Sequence, residues 1–473
     1  MKIMLRALCA PLALSTALAA SLAAATPPPP VDPVTEAKSD IWAWNIVEGL
    51  TTEVGPRPAG TEAEARARKW AVDWLTSHGF KNVREESFLI PTWVRGEEKA
   101  WAISPFKQPL AITALGNSGS TGDAGLEGDV AYFADYAALE AAAPEAVKGK
   151  IAFVDHVMQP TQDGSSYGMA GPIRRAGPNL AAKKGAIGII IRSLGTDWHR
   201  NPHTGNTTFD AGVTPIPAGA LSNPDADNLV RMWKRAWVMA AKPSDGMSHV
   251  PTPLRVKLLL TPRDMGMQPS GNVIAELPGS DPSLPPILIA CHLDSWDLGT
   301  GAIDDAAGCG IITAAALQAV RGGNARTIRL LWAGAEEVGV FGGRAYAEKH
   351  AATPHAIALE SDFGAGPVWR MDLALGAADK GLGDRLAAAL RPFGISRGPA
   401  KAGGGADIGD IAKAQKLAII DLQQDGRHYF DLHHTPDDTL DKIDPTELRQ
   451  NVAVWTAVLR VLARETGTIA PSD

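Results

Sequence analysis

Cysteine is scarce: three occur in 473 residues, and the first, Cys9, lies in an apolar leader. The other two, Cys291 and Cys309, are too few for a disulfide framework and lack the CxxC spacing of a zinc knuckle. Two buried thiols are the expected state, with pairing in an oxidising compartment as the alternative. Charge of one sign is also lacking. The formal net charge of −7 is spread without long runs, and no basic stripe marks a nucleic-acid partner. Past the leader, no stretch is long and apolar enough to cross a bilayer, and no internal repeat is evident. What remains is globular: 45% hydrophobic and 21% charged, with length for a large core and more than one domain. The 48 glycines and 35 prolines suit a loop-rich α/β enzyme better than a helical bundle.

Lys2 and Arg6 form a positive start, an Ala/Leu-rich run follows, and Ala23-Ala24-Ala25 offers small residues for cleavage. Residues 1–25 therefore read as a secretory signal peptide. An uncleaved anchor is the competing reading, opposed by Pro11 and by the weak hydropathy of alanine. Cys9 comes too early for a lipoprotein site. "TPPPPVDP" follows as a stiff, exposed spacer. Export is expected, to the periplasm of a Gram-negative source or otherwise to the medium, with no membrane insertion once the leader is removed.

Three further segments follow. Residues 26–105 carry helical periodicity in "IWAWNIVEGL" and "TEAEARARKWAVDWLTSHGF", interrupted by "VGPRPAG", and end in strands. Residues 106–262 show short apolar runs bounded by Gly, Pro and Asp, which predict an inserted β-rich module with few polar residues clustered as ligands would be. Residues 263–473 alternate strand and helix. Their fully apolar strands predict an α/β fold, a mostly parallel mixed sheet with helices on both faces.

Chemistry concentrates at the ends of those strands. "IACHLDSWDLGTGAIDDAAG" crowds His292, Asp294, Asp297, Asp304 and Asp305 at the mouth of one. Clustered carboxylates repel, and burial sharpens the cost, so a cation is expected among them. "TIRLLWAG" runs into Glu336-Glu337, "AIALES" into Asp362, and "LAIIDL" precedes a turn holding His433 and His434. In open α/β sheets such strand ends form the working edge. Imidazole and carboxylate together suit Zn²⁺, with Mn²⁺ or Co²⁺ as alternatives. Asp305 can also cap the helix that follows. Asn206-Thr207-Thr208 matches a glycosylation acceptor, a pattern short enough to arise by chance.

The ordered set "VGPRPAG", "IPTWVRGEE", "HLDSWDLGTGAIDDAAG", "AEEVG", "ESDFG" and "HHTPDDT" resembles the dinuclear zinc exopeptidases of the aminopeptidase type. Residues 106–262 resemble that family's protease-associated insert. The resemblance implies two Zn²⁺ per chain: one held by His292 and Asp362, the other by Glu337 and His434, with Asp304 bridging them. It implies Glu336 as general base and Asp294 as the hydrogen-bond partner that sets the His292 tautomer. His433, Asp407 and Tyr429 are placed in the substrate pocket, with His428 nearby. The implied substrates are small peptides, particularly dipeptides with free termini, and the implied assembly is a homodimer. The alternatives are an aminopeptidase of broader preference, a related amidohydrolase or glutaminyl-cyclase-like transferase, and a receptor-like binding protein that kept the fold and lost the chemistry.

Overall fold

Strands apolar at nearly every position must be covered on both faces, and this requirement organises the molecule. A computed structural model describes residues 32–241 and 251–472; the expected signal peptide and most of the spacer lie outside them. Among the described residues the strands form two eight-stranded sheets. The chain enters the first through β1 (Lys81–Val94). It then builds the second from β2 (Glu98–Ser104), β3 (Gln108–Leu110), β4 (Ile112–Ala114), β5 (Leu126–Phe133), β6 (Ile151–Val154), β7 (Gly188–Arg192), β8 (Ala218–Leu221) and β9 (Arg255–Leu260). It returns with β10 (Arg263–Leu277), β11 (Ile287–His292), β12 (Ile328–Ala333), β13 (Ile357–Glu360), β14 (Val368–Ala374), β15 (Ser396–Arg397) and β16 (Ala418–Gln424).

The first sheet runs β1-β10-β12-β11-β13-β16-β14-β15, and its centre, β12-β11-β13-β16, is parallel. Alternate side chains of β11 serve two cores. Ile287, Ile289 and Cys291 pack with the helix Ala307–Ala319, which the helices Trp42–Gly49 and Pro445–Arg464 cover in turn. Leu288 and Ala290 pack with Tyr346 and Ile411 of the helices Phe341–His350 and Gly409–Gln415 on the other face. At 25 cal/mol per Å² of apolar area, each buried Ile or Leu among them contributes about 1.5–3 kcal/mol. The α/β architecture expected from the sequence is the one observed.

Two expectations change. The segment expected to be β-rich is α/β: β5, β6, β7 and β8 are mutually parallel, and parallel pairs require crossovers. The helices Tyr136–Ala141, Gly177–Lys183 and Asn223–Ala241 lie among its strands. β2, on the N-terminal side of the expected boundary, also pairs into this sheet through β9. Cys291 and Cys309, expected as free thiols, form a disulfide. The helix Ala307–Ala319 turns back over β11 and brings their Cα atoms to 5.2 Å, within bridging range. Sequence spacing could not reveal that return.

Candidate active site

The parallel centre of the first sheet delivers the expected residues to one edge. β11 ends in His292 itself. After β12, Ala335 adopts a φ of +56° and turns the chain sharply into Glu336 and Glu337. Asp362 follows β13, and the turn after the short helix Tyr429–Leu432 presents His433 and His434, the latter at a φ of +56°. Left-handed non-glycine residues cost about 1–3 kcal/mol each and persist where the surroundings over-determine them.

The geometry centres on Asp304. Its Oδ1 lies 3.0 Å from His292 Nε2, which is also 3.3 Å from Asp362 Oδ1. Its Oδ2 lies 3.3 Å from His434 Nε2, which is 2.7 Å from Glu337 Oε2. One carboxylate thus turns an oxygen to each of two imidazole–carboxylate pairs. His433 Nε2 stands 3.1 Å from the same Oδ2. Asp304 Oδ2 and Glu337 Oε1 are buried and have no hydrogen-bond partner of acceptable geometry. Buried oxygens left so, amid nitrogen and oxygen donors, fit a cation and not a self-contained polar network.

Electrostatics agree. Burial lowers the His292 pKa, but Asp362, Asp294 and Asp304 outweigh it and raise it well above the ordinary value. Burial pushes Glu337 up to about 7 against the pull of His434. Burial, with Asp362 and Glu337, also raises Glu336 well above the usual carboxylate range, opposed by His292.

Several neighbours differ from expectation. The Asp294 carboxylate is not the hydrogen-bond partner of the His292 ring. Nδ1 faces the Asp294 backbone carbonyl at 3.0 Å, while the carboxylate stands off at 3.7 Å. That carboxylate instead accepts from the N–H groups of Glu336 and Glu337, at 3.1 and 3.3 Å, so it holds the loop carrying both glutamates. Asp305, by contrast, takes the helix-start contact expected of it and accepts from the Gly308 N–H at 3.0 Å. Asp297 leaves the cluster for Arg95, at 2.8 and 2.9 Å. Asp407 does not line the cleft. It is fully buried, both its carboxylate oxygens lack partners, and burial, then Glu360 and Glu336, raise its pKa well above the ordinary value. Tyr429 and His433 do line the cleft, and His428 is exposed outside it.

The cleft encloses about 420 Å³. Its far wall comes from the second-sheet segment, through Tyr167, Arg174 and Asn206. The Asn206 amide donates to the Glu337 carbonyl at 2.8 Å, so this side chain belongs to the cleft, not to an open glycosylation surface. Sequence reasoning missed these residues because no ligand-type cluster marks them. It also missed two clamps on the loop before Asp304. Arg57 of "VGPRPAG", fully buried, donates to the carbonyls of Leu293, Thr300 and Gly301. Asp438 accepts from the N–H groups of Ala302 and Ile303, both at 2.7 Å. Gly301 has a φ of +61°, and a Cβ there would lie 2.4 Å from that of Ser295, so only glycine fits this turn.

The chain was compared with known proteins. Residues 272–459 match the model of peptidase family M28. Carboxypeptidase Q of Bos taurus is 31% identical over 421 residues, covering 88% of this chain and 84% of that protein. Carboxypeptidase Q of Homo sapiens is 30% identical over 419 residues, with the same coverage of 88% and 84%. The crystal structure of a peptidase M28 precursor from Shewanella amazonensis SB2B superposes with a TM-score of 0.86 at 42% identity, covering 93% of this chain and 97% of that one. A zinc aminopeptidase from Bacillus subtilis shares the fold, with a TM-score of 0.61 at 18% identity over 92% of this chain and 98% of its own. With the parallel strand ends, the divided Asp304 carboxylate and the length of these matches together, the chain belongs to peptidase family M28 and is an exopeptidase-type enzyme.

Proposed function

We propose that this enzyme is an exported dinuclear zinc peptidase that hydrolyses small peptides, dipeptides with free termini first among them. The observation that carries the metal reading is the division of Asp304 between two imidazole–carboxylate pairs, each bringing a ring nitrogen and carboxylate oxygens together. His292 and Asp362 would hold one zinc, Glu337 and His434 the other, with Asp304 shared. Zinc bound there would supply a lowered pKa for water and polarisation of the peptide carbonyl.

The remaining work falls to the chain. Glu336 is half-buried at the cleft, and among the described residues no ring nitrogen pairs with it. Its carboxylate takes the proton of the attacking water and returns it to the leaving amine. The raised proton affinity that burial gives it suits a group that must first hold and then release a proton. Asp294 keeps the Glu336–Glu337 loop in register through two backbone N–H groups. Tyr429 and Phe363 pack against each other at 4.6 Å and line the cleft with aromatic surface.

Export is supported by the leader and by the Cys291–Cys309 disulfide, a linkage that persists in oxidising compartments. Among the described residues no helix is long and apolar enough to cross a membrane.

The deciding experiment combines elemental analysis with a panel of free and end-blocked dipeptides. Two zinc per chain with cleavage of free-ended dipeptides only is the expected result. Cleavage of C-terminally amidated peptides at equal rates points instead to a broader aminopeptidase. Metal-free protein that binds peptide without cutting it overturns the enzymatic reading.

A further inference from the structure

His434 sits at a left-handed φ, so backbone preference alone does not aim its ring. The ring is held from outside its own loop. His434 Nδ1 lies 2.9 Å from the carbonyl oxygen of Thr204, a residue of the second-sheet segment. A carbonyl only accepts, so Nδ1 carries the hydrogen, and the Nε2 lone pair is left to face Glu337 and Asp304. The rings of His203 and Trp296 lie nearly parallel to the His434 ring, at 5.1 Å and 4°, and 5.0 Å and 15°.

Thr204 is itself fixed from two directions. The Trp296 indole N–H donates to its hydroxyl at 2.6 Å. Arg174 Nη1 donates to its carbonyl at 2.7 Å and lies 3.0 Å from His203 Nε2. Arg174 is buried, and its guanidinium is directed at the Thr204 carbonyl and at two ring nitrogens, His203 Nε2 and, more distantly at 3.5 Å, His434 Nδ1, instead of a carboxylate. The turn is shaped around it: Gly205 has a φ of +142°, and a Cβ there would stand 2.0 Å from Arg174 Nη1. His292 differs. Its Nδ1 meets the carbonyl of Asp294, two residues along its own loop.

We propose that Arg174 and the His203–Thr204 turn, braced by Trp296 from the loop after β11, form a positioning device by which the second-sheet segment sets the tautomer and direction of His434, so that one half of the metal pair depends on that segment while the His292 half does not. This rests on the dinuclear reading above. Partners that orient a ligating histidine typically govern 10–100-fold in metal affinity.

The test uses the full-length mature chain, stripped of metal and titrated with zinc against a chromophoric chelator. Cobalt absorption spectra of the substituted protein give a second readout. Arg174→Met removes the donor and keeps much of the bulk. Trp296→Phe keeps a stacking ring and removes only the bond to Thr204, a milder change should Arg174→Met fail to fold. Circular dichroism and Tm of the metal-free forms establish folding. The expected result is that one zinc site weakens by about 10–100-fold, its cobalt spectrum changes, and the other site is untouched. Two sites of wild-type affinity in both variants, or equal weakening of both sites, overturns the proposal. Wild-type protein that binds fewer than two zinc ions overturns the dinuclear reading itself, a result separable from the other two.

Discussion

Asp304 illustrates how much one carboxylate can organise. Its two oxygens face different histidines, so replacing one oxygen removes half of a shared contact. In Asp304→Asn one oxygen becomes an amide nitrogen, which is no ligand, and the other becomes a neutral carbonyl oxygen, so on the dinuclear reading one site loses a donor and both lose the shared negative charge. The expected outcome is loss of tightly bound zinc from both positions, read by elemental analysis after dialysis, with the fold retained by circular dichroism. Glu336 should behave differently, since no histidine among the described residues pairs with it. Glu336→Ala should keep its zinc and lose about 10²–10⁴-fold in kcat, the usual contribution of a general base. Near-normal turnover with metal bound would remove Glu336 from the mechanism. Asp294 shows where residue-level inference stopped. Its proximity to His292 in sequence was legible, but which of its oxygens meets the ring depended on the Glu336–Glu337 loop folding across from β12.

Among elements, the strands were the most readable and the connections the least. β11, β12 and β13 announce themselves by unbroken apolar runs, and their parallel pairing brings His292, Glu337 and Asp362 to one edge. The connections work by contacts far apart in sequence. His355, just before β13, is one. Its Nε2 meets the Tyr346 hydroxyl at 2.8 Å and its Nδ1 meets Gln415 Oε1 at 3.1 Å, a pattern for a neutral ring. Burial, with Arg329 and His350 adding to it against the Gln415 hydrogen bond, lowers its pKa from 6.5 to about 4. Between those values the unfolded chain binds a proton that the native chain does not. This contribution is therefore whole above pH 6.5 and is lost as pH falls through about 4. It is worth roughly 3 kcal/mol. Urea titrations across this range should show His355→Gln with a shallower fall in stability than wild type. Equal slopes would show that His355 is not the titrating group.

Across the whole molecule the two sheets meet at the cleft, and Arg95 is the latch. It follows β1, pairs with Asp297 from the loop after β11, and reaches Glu98 and the Ala114 carbonyl of the second sheet. Both carboxylates are largely buried, at 18% and 14% side-chain exposure. Arg95→Met leaves two buried anions without their cation, and breaking such a pair costs about 3–5 kcal/mol. The expected result is a loss of that size in denaturant unfolding, partly restored by adding Asp297→Asn. An unchanged unfolding free energy would show that other contacts carry this junction.

The division between what residue order settles and what folding settles follows the range of the forces involved. Strand identity, the apolar faces and the kinds of ligand are local properties, written in period and composition, and they could be read directly. The α/β architecture followed, because buried parallel strands admit few arrangements. The Cys291–Cys309 bridge, the burial of Asp407, the Asp297–Arg95 latch and the Thr204 carbonyl beneath His434 could not be read that way. Each joins segments separated by a turn or an entire sheet, and each depends on ångström distances that only close packing sets.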